Sequence, residues 1–189
     1  MPESGADRPS LTKDAEGLAT FISALGGIHK LDQLLDTALG QLLAFFNTDQ
    51  GAIHLLNDNG QELLLRAHKG LSAAYAARYP KLGLGEQVAG IVARTEQSVL
   101  IPDSTIEPSA QGLVGGEHFR SLACIPLVSN GALLGTVTLL SSQRAHFDHV
   151  DRQVLELAAQ HLSALISSTR LVEEKEHRLQ ELAALNERT

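Results

Sequence analysis

Cys124 is the single cysteine in a chain of 189 residues, and its thiol is the first side chain that could do chemistry. A lone thiol has no second cysteine with which to resolve an oxidised sulfur as an intrachain disulfide, so thiol-based redox turnover is not expected. Cys124 stands among apolar residues in a segment that predicts a strand. Two interpretations stay open: a contact in a ligand pocket, or a small buried apolar residue.

A second set of candidates surrounds a long connection between residues 103 and 119. Asp103, Glu117, His118 and Arg120 would together line the polar mouth of a pocket. The guanidinium of Arg120 suits a carboxylate or a phosphate, because its planar fork binds such anions through two parallel hydrogen bonds. The alternative is a structural clamp in which Arg120 pairs with Asp103 or Glu117.

The remaining histidine candidates are His54, His146 and His149. His54 lies between apolar residues of a predicted strand, where it either faces the pocket or is a hydrogen-bonded core residue. His146 and His149 form an H-x-x-H pair at a strand-to-helix junction. A metal site needs three or four convergent ligands, so we predict no metal there.

The sequence offers no catalytic constellation, and we expect no enzyme activity from this chain. His118 and Ser121 are three residues apart, but no third group is placed to orient them as a base and a nucleophile. The formal charge of −7 argues against a nucleic-acid surface, which would carry clustered Lys and Arg. No apolar run approaches the roughly 20 residues that span a bilayer. The single cysteine fits a reducing compartment, so we expect a cytoplasmic protein without a membrane partner.

The elements that must position these residues follow from apolar spacing and turn residues. Residues 1–10 predict a disordered tail, and residues 11–28 a helix that ends in a Gly-Gly hinge. A second helix should run from about 29 to 46. Hairpins are expected around Asp58-Asn59-Gly60 and around Asn130-Gly131. The second is the stronger signal, because Asn130-Gly131 stands between two apolar runs and both residues of a type I′ turn need positive φ. A short helix, a helix from about 86 to 95 and a short strand at 98–101 fill the space between the hairpins.

The last segment, from about residue 147, predicts a single helix that reaches about 60 Å at 1.5 Å per residue. Its apolar residues recur in heptads, which is typical of a coiled coil. We therefore expect a homodimer through the terminal helices, with residues 172–189 as a coiled-coil signalling segment. The predicted contact positions are Leu155, Ala158, Leu162, Leu165, Val172 and Leu179.

The order of these elements resembles the GAF family of sensory domains. The residues that carry the resemblance are Gly51-Ala52-Ile53-His54-Leu55-Leu56, Gly83-Leu84-Gly85-Glu86, Gly90-Ile91-Val92, Pro102-Asp103, Arg120-Ser121, Pro126-Leu127 and Gly135. The resemblance implies an α+β fold (an α/β sandwich) over residues 29–171. It has a central antiparallel sheet of five to six strands, the N- and C-terminal helices on one face, and pocket-forming helices and a loop on the other.

The family resemblance also implies a function: a non-catalytic sensor that binds a small molecule and signals to an effector absent from this chain, most often a histidine kinase of a two-component system. The candidate ligand-binding residues are His54, Asp103, Glu117, His118, Arg120 and Cys124. No cofactor is predicted. Two alternatives within the family are a haem-binding gas or redox sensor with His118 as the axial ligand, and a methionine sulfoxide reductase, which would use several cysteines.

Overall fold

The centre of the protein is a six-stranded sheet in which every neighbouring pair of strands is antiparallel. The structure is a computed structural model that describes residues 11–110 and 112–186; the tail predicted over residues 1–10 lies outside them. The strands are β1 (Gln50–Leu56), β2 (Glu62–Lys69), β3 (Lys81–Gly83), β4 (Val99–Ile101), β5 (Ser121–Ser129) and β6 (Ala132–Ser141), in the order β3-β2-β1-β6-β5-β4. The helices are α1 (Leu11–Leu25), α2 (Leu31–Phe45), α3 (Ala73–Arg78), α4 (Gln87–Thr95) and α5 (His149–Asn186).

The β5–β6 hairpin forms around the predicted turn. Asn130 and Gly131 have φ values of 51° and 75°, and both central residues of a type I′ turn require this sign. The strands pair from Ser129 opposite Ala132 down to Ser121 opposite Ser141. The register shifts by one residue between Val128 and Leu127, so the turn together with this irregularity sets the pairing of Cys124 with Thr138.

The two faces of the sheet are covered by different helices, as the family resemblance implied. Alternate strand residues such as Ile53, Val137 and Ile125 join α1, α2 and α5 in the larger apolar core. The residues between them, such as Leu122 and Cys124, face α3, α4 and the connection from β4 to β5. We call these the helix face and the pocket face.

Strand β3 is the one element of the sheet that the sequence did not predict. It is three residues long and pairs with Glu62–Leu64 at the edge of the sheet. Its sequence, Lys81-Leu82-Gly83, holds one large apolar residue, whereas the equally short β4 is a continuous apolar run that the sequence does predict as a strand.

Helix α5 has a buried half and an exposed half, and this corrects part of the predicted dimer contact. Leu155, Ala158 and Leu162 are buried in the core of the same chain, packed on the helix face. They cannot also contact a second copy in this conformation. Leu165 is partly buried, whereas Val172 and Leu179 are exposed. The heptad positions therefore change role along the helix, from core residues to surface residues.

The C-terminal part of α5 extends beyond the domain. Glu173 accepts a hydrogen bond from the backbone N–H of Leu31 (3.0 Å), and Glu176 forms an ion pair with Lys30 (3.9 Å). Residues 174–186 are all exposed. Within the described residues, no helix has the length and apolar character needed to cross a membrane.

Candidate functional site

A pocket of about 630 Å³ lies on the pocket face, beneath the connection from β4 to β5. We call it the outer pocket. Three of the six predicted ligand-binding residues line it, namely Glu117, His118 and Arg120. The full lining is Ser104, Thr105, Ala110, Gly112, Gly116, Glu117, His118, Phe119, Arg120 and Ser142.

Asp103 lies behind the outer pocket and holds the two ends of the connection together. Its carboxylate accepts from the backbone N–H (3.0 Å) and hydroxyl (2.7 Å) of Thr105, from Arg120 (3.3 Å to each oxygen) and from Arg144 (2.7 Å). The hydrogen bonds from Thr105, followed by those from the two arginines, hold the pKa of Asp103 well below its usual range. Asp103 therefore forms the structural clamp that the sequence analysis left open, and it does not line the pocket.

Arg120 has two roles that the sequence analysis treated as alternatives. Its Nε and Nη2 atoms donate to Asp103, so it is part of the clamp. Its side chain also lines the outer pocket and remains 38% exposed. A carboxylate or phosphate in the pocket would therefore meet a guanidinium whose orientation is already fixed.

Glu117 fastens the same connection to α3. Its carboxylate accepts from the backbone N–H of Ser72 (3.2 Å) and from the Ser72 hydroxyl. The Ser72 hydroxyl in turn accepts from the backbone N–H of Tyr75 (3.1 Å), which is an N-cap interaction that stabilises the start of α3. Glu117 is thus both a wall of the outer pocket and a strap across the pocket face.

His118 is an exposed side chain of the outer pocket. The lining of that pocket includes one aromatic side chain, Phe119, and is otherwise composed of small and polar residues. A porphyrin buries a large flat apolar surface, and ligand sites of that kind are lined mainly by apolar and aromatic side chains. The residues present therefore do not fit a haem.

A second cavity is buried between the sheet and the two pocket-face helices. We call it the inner cavity. Its volume is about 10 Å³, which is close to the minimum that holds one water molecule. It is lined by Ala52, His54, Leu71, Tyr75, Gln87, Val88, Ala89, Val114, Thr138 and Leu140.

His54 faces this inner cavity and lies apart from the other predicted site residues. It is 1% exposed, and neither of its ring nitrogens has a hydrogen-bond partner. Burial lowers the pKa of His54 to about 4, so the ring is neutral at pH 7. Of the two alternatives for His54, this placement favours the pocket-facing one, because the ring borders the inner cavity and no described protein atom hydrogen-bonds to it.

Tyr75 and Gln87 are polar residues of the inner cavity that the sequence analysis missed. The Tyr75 hydroxyl donates to Oε1 of Gln87 (3.2 Å). Burial, and next the negative charge of Glu117, raise the pKa of Tyr75 to about 12. Gln87 begins α4 with a φ of 54°, a left-handed conformation that is uncommon outside glycine and is often found at functional sites. The Gly85-Glu86-Gln87 sequence gives no signal that the third residue would take it.

Cys124 lies on the pocket face but lines neither the outer pocket nor the inner cavity. It is fully buried, and its Sγ lies 3.2 Å from the hydroxyl of Thr138. Burial raises the pKa of Cys124 to about 12, so the thiol is not ionised at neutral pH. The structure corrects the assignment of Cys124 as a ligand contact and agrees with the alternative of a small buried residue.

The H-x-x-H pair is built into the junction before α5. His146 contacts the backbone oxygen of Phe46 through Nε2 and lies 3.4 Å from the side-chain oxygen of Gln143 through Nδ1. The side chain of His149 lies outside the described part of the structure. Among the residues that are described, no three histidine, cysteine or acidic side chains converge on a common point.

Comparison with solved structures identifies the same architecture in GAF domains from several bacteria. The GAF domain of a Coxiella burnetii phosphoenolpyruvate-protein phosphotransferase is 21% identical with a TM-score of 0.76, over 88% of this chain and 99% of that one. The corresponding Acinetobacter domain is 22% identical with a TM-score of 0.74, over 87% and 98% of the two chains. At these identities the likeness shows the fold alone.

An enzyme with this architecture is also similar to the chain. The free methionine-R-sulfoxide reductase of Neisseria meningitidis, solved with its substrate, is 20% identical with a TM-score of 0.74, over 89% of this chain and 98% of that chain. A sequence comparison with curated proteins finds no match. The family model described as GAF domain matches residues 29–167, which is more than half of the sequence. The chain belongs to the GAF domain family.

Proposed function

We propose that this chain is a non-catalytic sensory module that binds a small molecule on its pocket face and signals through α5. The observation that carries the proposal is the attachment of the pocket to that helix. The connection over the outer pocket begins after β4 and ends at β5. Strand β5 packs on α5 through Ala123 and Ile125, and the hydroxyl of Ser98, just before β4, donates to Glu156 of α5 (2.7 Å).

Through these contacts, a movement of the connection over the outer pocket can be passed to α5 by the strands on either side of it. A ligand that favours one position of the connection shifts the population toward the matching position of β4 and β5. Strand β5 packs on α5, and Ser98, which precedes β4, donates to Glu156 of the same helix. We therefore expect a shift or rotation of α5 to follow. The expected recipient is an effector domain outside this chain, with a histidine kinase as the most common kind in the family.

The partner that we propose for α5 is a second copy of the chain. Leu157, Leu171 and Leu182 are 52–61% exposed, and at 3.6 residues per turn they lie along one side of the helix. The core residues Leu155 and Leu162 lie on the opposite side. An exposed leucine stripe on a helix that extends beyond its domain is typical of a coiled-coil contact. We therefore propose that the dimer contact is formed by this exposed stripe, because Leu155, Ala158 and Leu162 are buried in the core of their own chain.

The dimer is tested by sedimentation velocity on three proteins at micromolar concentration. We expect the wild type to sediment as a dimer and Leu182→Glu as a monomer. Gln180→Glu is the matched control, because it introduces the same charge on the same exposed segment but on the opposite side of the helix, and it should remain dimeric. A monomeric wild type would remove the proposed signalling route.

Ligand binding is tested separately, by native mass spectrometry of the purified protein. We expect a small molecule to co-purify and to be lost when the outer pocket is filled by Ser142→Trp, which replaces an exposed lining residue. A chain that carries no small molecule, and whose melting temperature does not respond to any member of a metabolite library, would refute the sensor role. A visible absorption spectrum of the same sample should be featureless, since we propose no haem.

Two features support a non-catalytic role. Cys124 is buried and un-ionised, and the sequence contains no second cysteine. The thiolate is the nucleophilic form, so a thiol mechanism lacks its reactive species. We expect no reduction of free methionine sulfoxide in the presence of dithiothreitol, and the same result for Cys124→Ser. We propose a cytoplasmic location, because a chain with a single cysteine and therefore no intrachain disulfide fits a reducing compartment.

A further inference from the structure

The strongest unexplained feature of the molecule is the pair of polar side chains on the inner cavity side of β1 and β6. His54 and Thr136 lie opposite each other in the antiparallel pairing of these strands. Both ring nitrogens of His54 and the hydroxyl oxygen of Thr136 are buried without a hydrogen-bond partner. Native proteins pair nearly all such groups, so each exception calls for an explanation.

The chemistry of the cavity wall restricts what could satisfy His54. None of the described residues that line the inner cavity is acidic, and none is a lysine or arginine. A charged ligand group would therefore be buried without an opposite charge, which is strongly unfavourable. A purely apolar group would leave the ring nitrogens unpaired. A neutral imidazole has one N–H donor and one acceptor nitrogen, so its complement is an uncharged group with both an acceptor and a donor.

We propose that the inner cavity recognises an uncharged polar group of the ligand, such as a carboxamide or the nitrogen edge of a heteroaromatic ring, and that His54 selects it. This inference rests on the proposed function and assigns the chemical class of the ligand. The outer pocket would then hold the remainder of the molecule beside Arg120.

The wall between the two compartments is the segment Gly112–Gly116, with Val114 at its centre. Val114 is buried and lines the inner cavity, whereas Gly112 and Gly116 line the outer pocket. Gly112, Gly115 and Gly116 have φ values of 85°, 55° and 92°, a conformation that glycine adopts without strain. A Cβ at Gly115 would lie 2.4 Å from the Tyr79 ring and 3.0 Å from the Tyr75 ring. The segment therefore lies directly against the two tyrosines. The inner cavity, at about 10 Å³, holds no more than about one water molecule, so our proposal requires this segment to move and join the two compartments when the ligand enters.

The test enlarges the inner cavity and offers it three small molecules of similar shape. Val114→Ala removes two methyl groups from the wall. The probes are acetamide, which is uncharged and carries a donor and an acceptor; acetate, which is charged; and isobutene, which is apolar. Binding is measured by the rise in melting temperature and by the ¹⁵N chemical shifts of the His54 ring.

We expect acetamide to stabilise Val114→Ala and to shift the His54 resonances, with acetate inactive and isobutene weaker. In the double variant Val114→Ala/His54→Leu the apparent Kd for acetamide should rise by about tenfold, the loss expected for roughly one good hydrogen bond. Isobutene should then bind better than acetamide. Leu71→Ala opens the same cavity from a partly exposed position and serves if Val114→Ala is too unstable.

Equal stabilisation by isobutene and acetamide, or an acetamide effect that survives His54→Leu, would overturn the inference. No response to acetamide in either enlarged variant would overturn it as well. The dimer experiment is independent of these outcomes. A chain that dimerises through Leu182 and retains a co-purified molecule, yet ignores acetamide, would refute the role of His54 and leave the proposed function standing.

Discussion

Replacing His54 with leucine should remove a pH dependence of stability that this one buried ring creates. A histidine in the unfolded chain has a pKa of about 6.5, and burial lowers the pKa of His54 in the folded protein to about 4. Between these two values the unfolded state binds more protons than the folded state, so the free energy of unfolding rises with pH. The contribution of His54 is complete above the unfolded value and is lost as the pH falls toward the folded value.

The size of the effect follows from the two pKa values. Each pKa unit corresponds to about 1.4 kcal/mol. On lowering the pH from about 7.5 to about 5, the His54 ring removes about 2 kcal/mol from the free energy of unfolding. At the higher pH, leucine should stabilise the protein by about 1–2 kcal/mol, because it removes a buried polar group that has no partner. The two effects add, so the advantage of the leucine variant should grow as the pH falls.

Urea denaturation of the wild type, His54→Leu and His29→Leu at the two pH values measures this. His29 is exposed in the link between α1 and α2, so His29→Leu is a matched control that should follow the wild type. If the stability difference between wild type and His54→Leu changes by less than about 0.5 kcal/mol between the two pH values, the ring is hydrogen-bonded or protonated in the folded state. That result would remove the basis for an unsatisfied histidine in the inner cavity.

Other predictions concern the Asp103 carboxylate, the contact between Ser72 and Glu117, the Cys124 thiol and a glycine of the sheet. Asp103→Asn should flatten the acid limb of the stability curve below about pH 4, because there the unfolded wild type binds a proton at Asp103 while the folded protein keeps this carboxylate ionised. Denaturation between about pH 2 and about pH 4 checks this. Ser72→Ala should destabilise the protein by about 1 kcal/mol through the lost N-cap, and Glu117→Gln should add little to it in a double-mutant cycle of unfolding free energies. Cys124 should resist Ellman's reagent until urea unfolds the chain; reaction of the folded protein would contradict its burial. Gly135→Ala should cost about 3 kcal/mol or more, because a Cβ there would lie 2.0 Å from the backbone oxygen of His54. Gly131→Ala meets no atom within 4 Å and should cost only about 1 kcal/mol through backbone strain, so equal losses in thermal denaturation would contradict the steric argument.

The sheet could be predicted because its signals are local. Asn130-Gly131 sets one hairpin, and the apolar runs on either side are long enough to be strands. The division of the faces was implied by the family resemblance and is confirmed by the alternation of Ile53 and Ile125 with His54 and Cys124 along the strands. Strand β3 has no such signal and depends on pairing with β2.

The candidate site was predicted only in part because it depends on contacts between distant segments. Glu117, His118 and Arg120 are close in the sequence, and they line one pocket. The inner cavity joins residues from β1, α3, α4 and β6, and Tyr75 and Gln87 carry no sequence pattern that relates them. The contacts of Asp103 could not be predicted for the same reason. The two arginines that donate to its carboxylate lie 17 and 41 residues away in the sequence and approach it only in the folded chain.

The two apolar sides of α5 explain why the heptad pattern was assigned to the wrong contact. Leu155 and Leu162 are seven residues apart, and Leu157 and Leu171 of the exposed stripe are separated by two such intervals. A period of seven cannot say which of the two sides faces the sheet, because both repeat at the same interval. The sheet decides it, since Leu155 and Leu162 fill the core beside Ile125. A dimer contact on the opposite side would therefore leave the domain core intact, and a shift of β5 would reach the second copy through a single layer of helix.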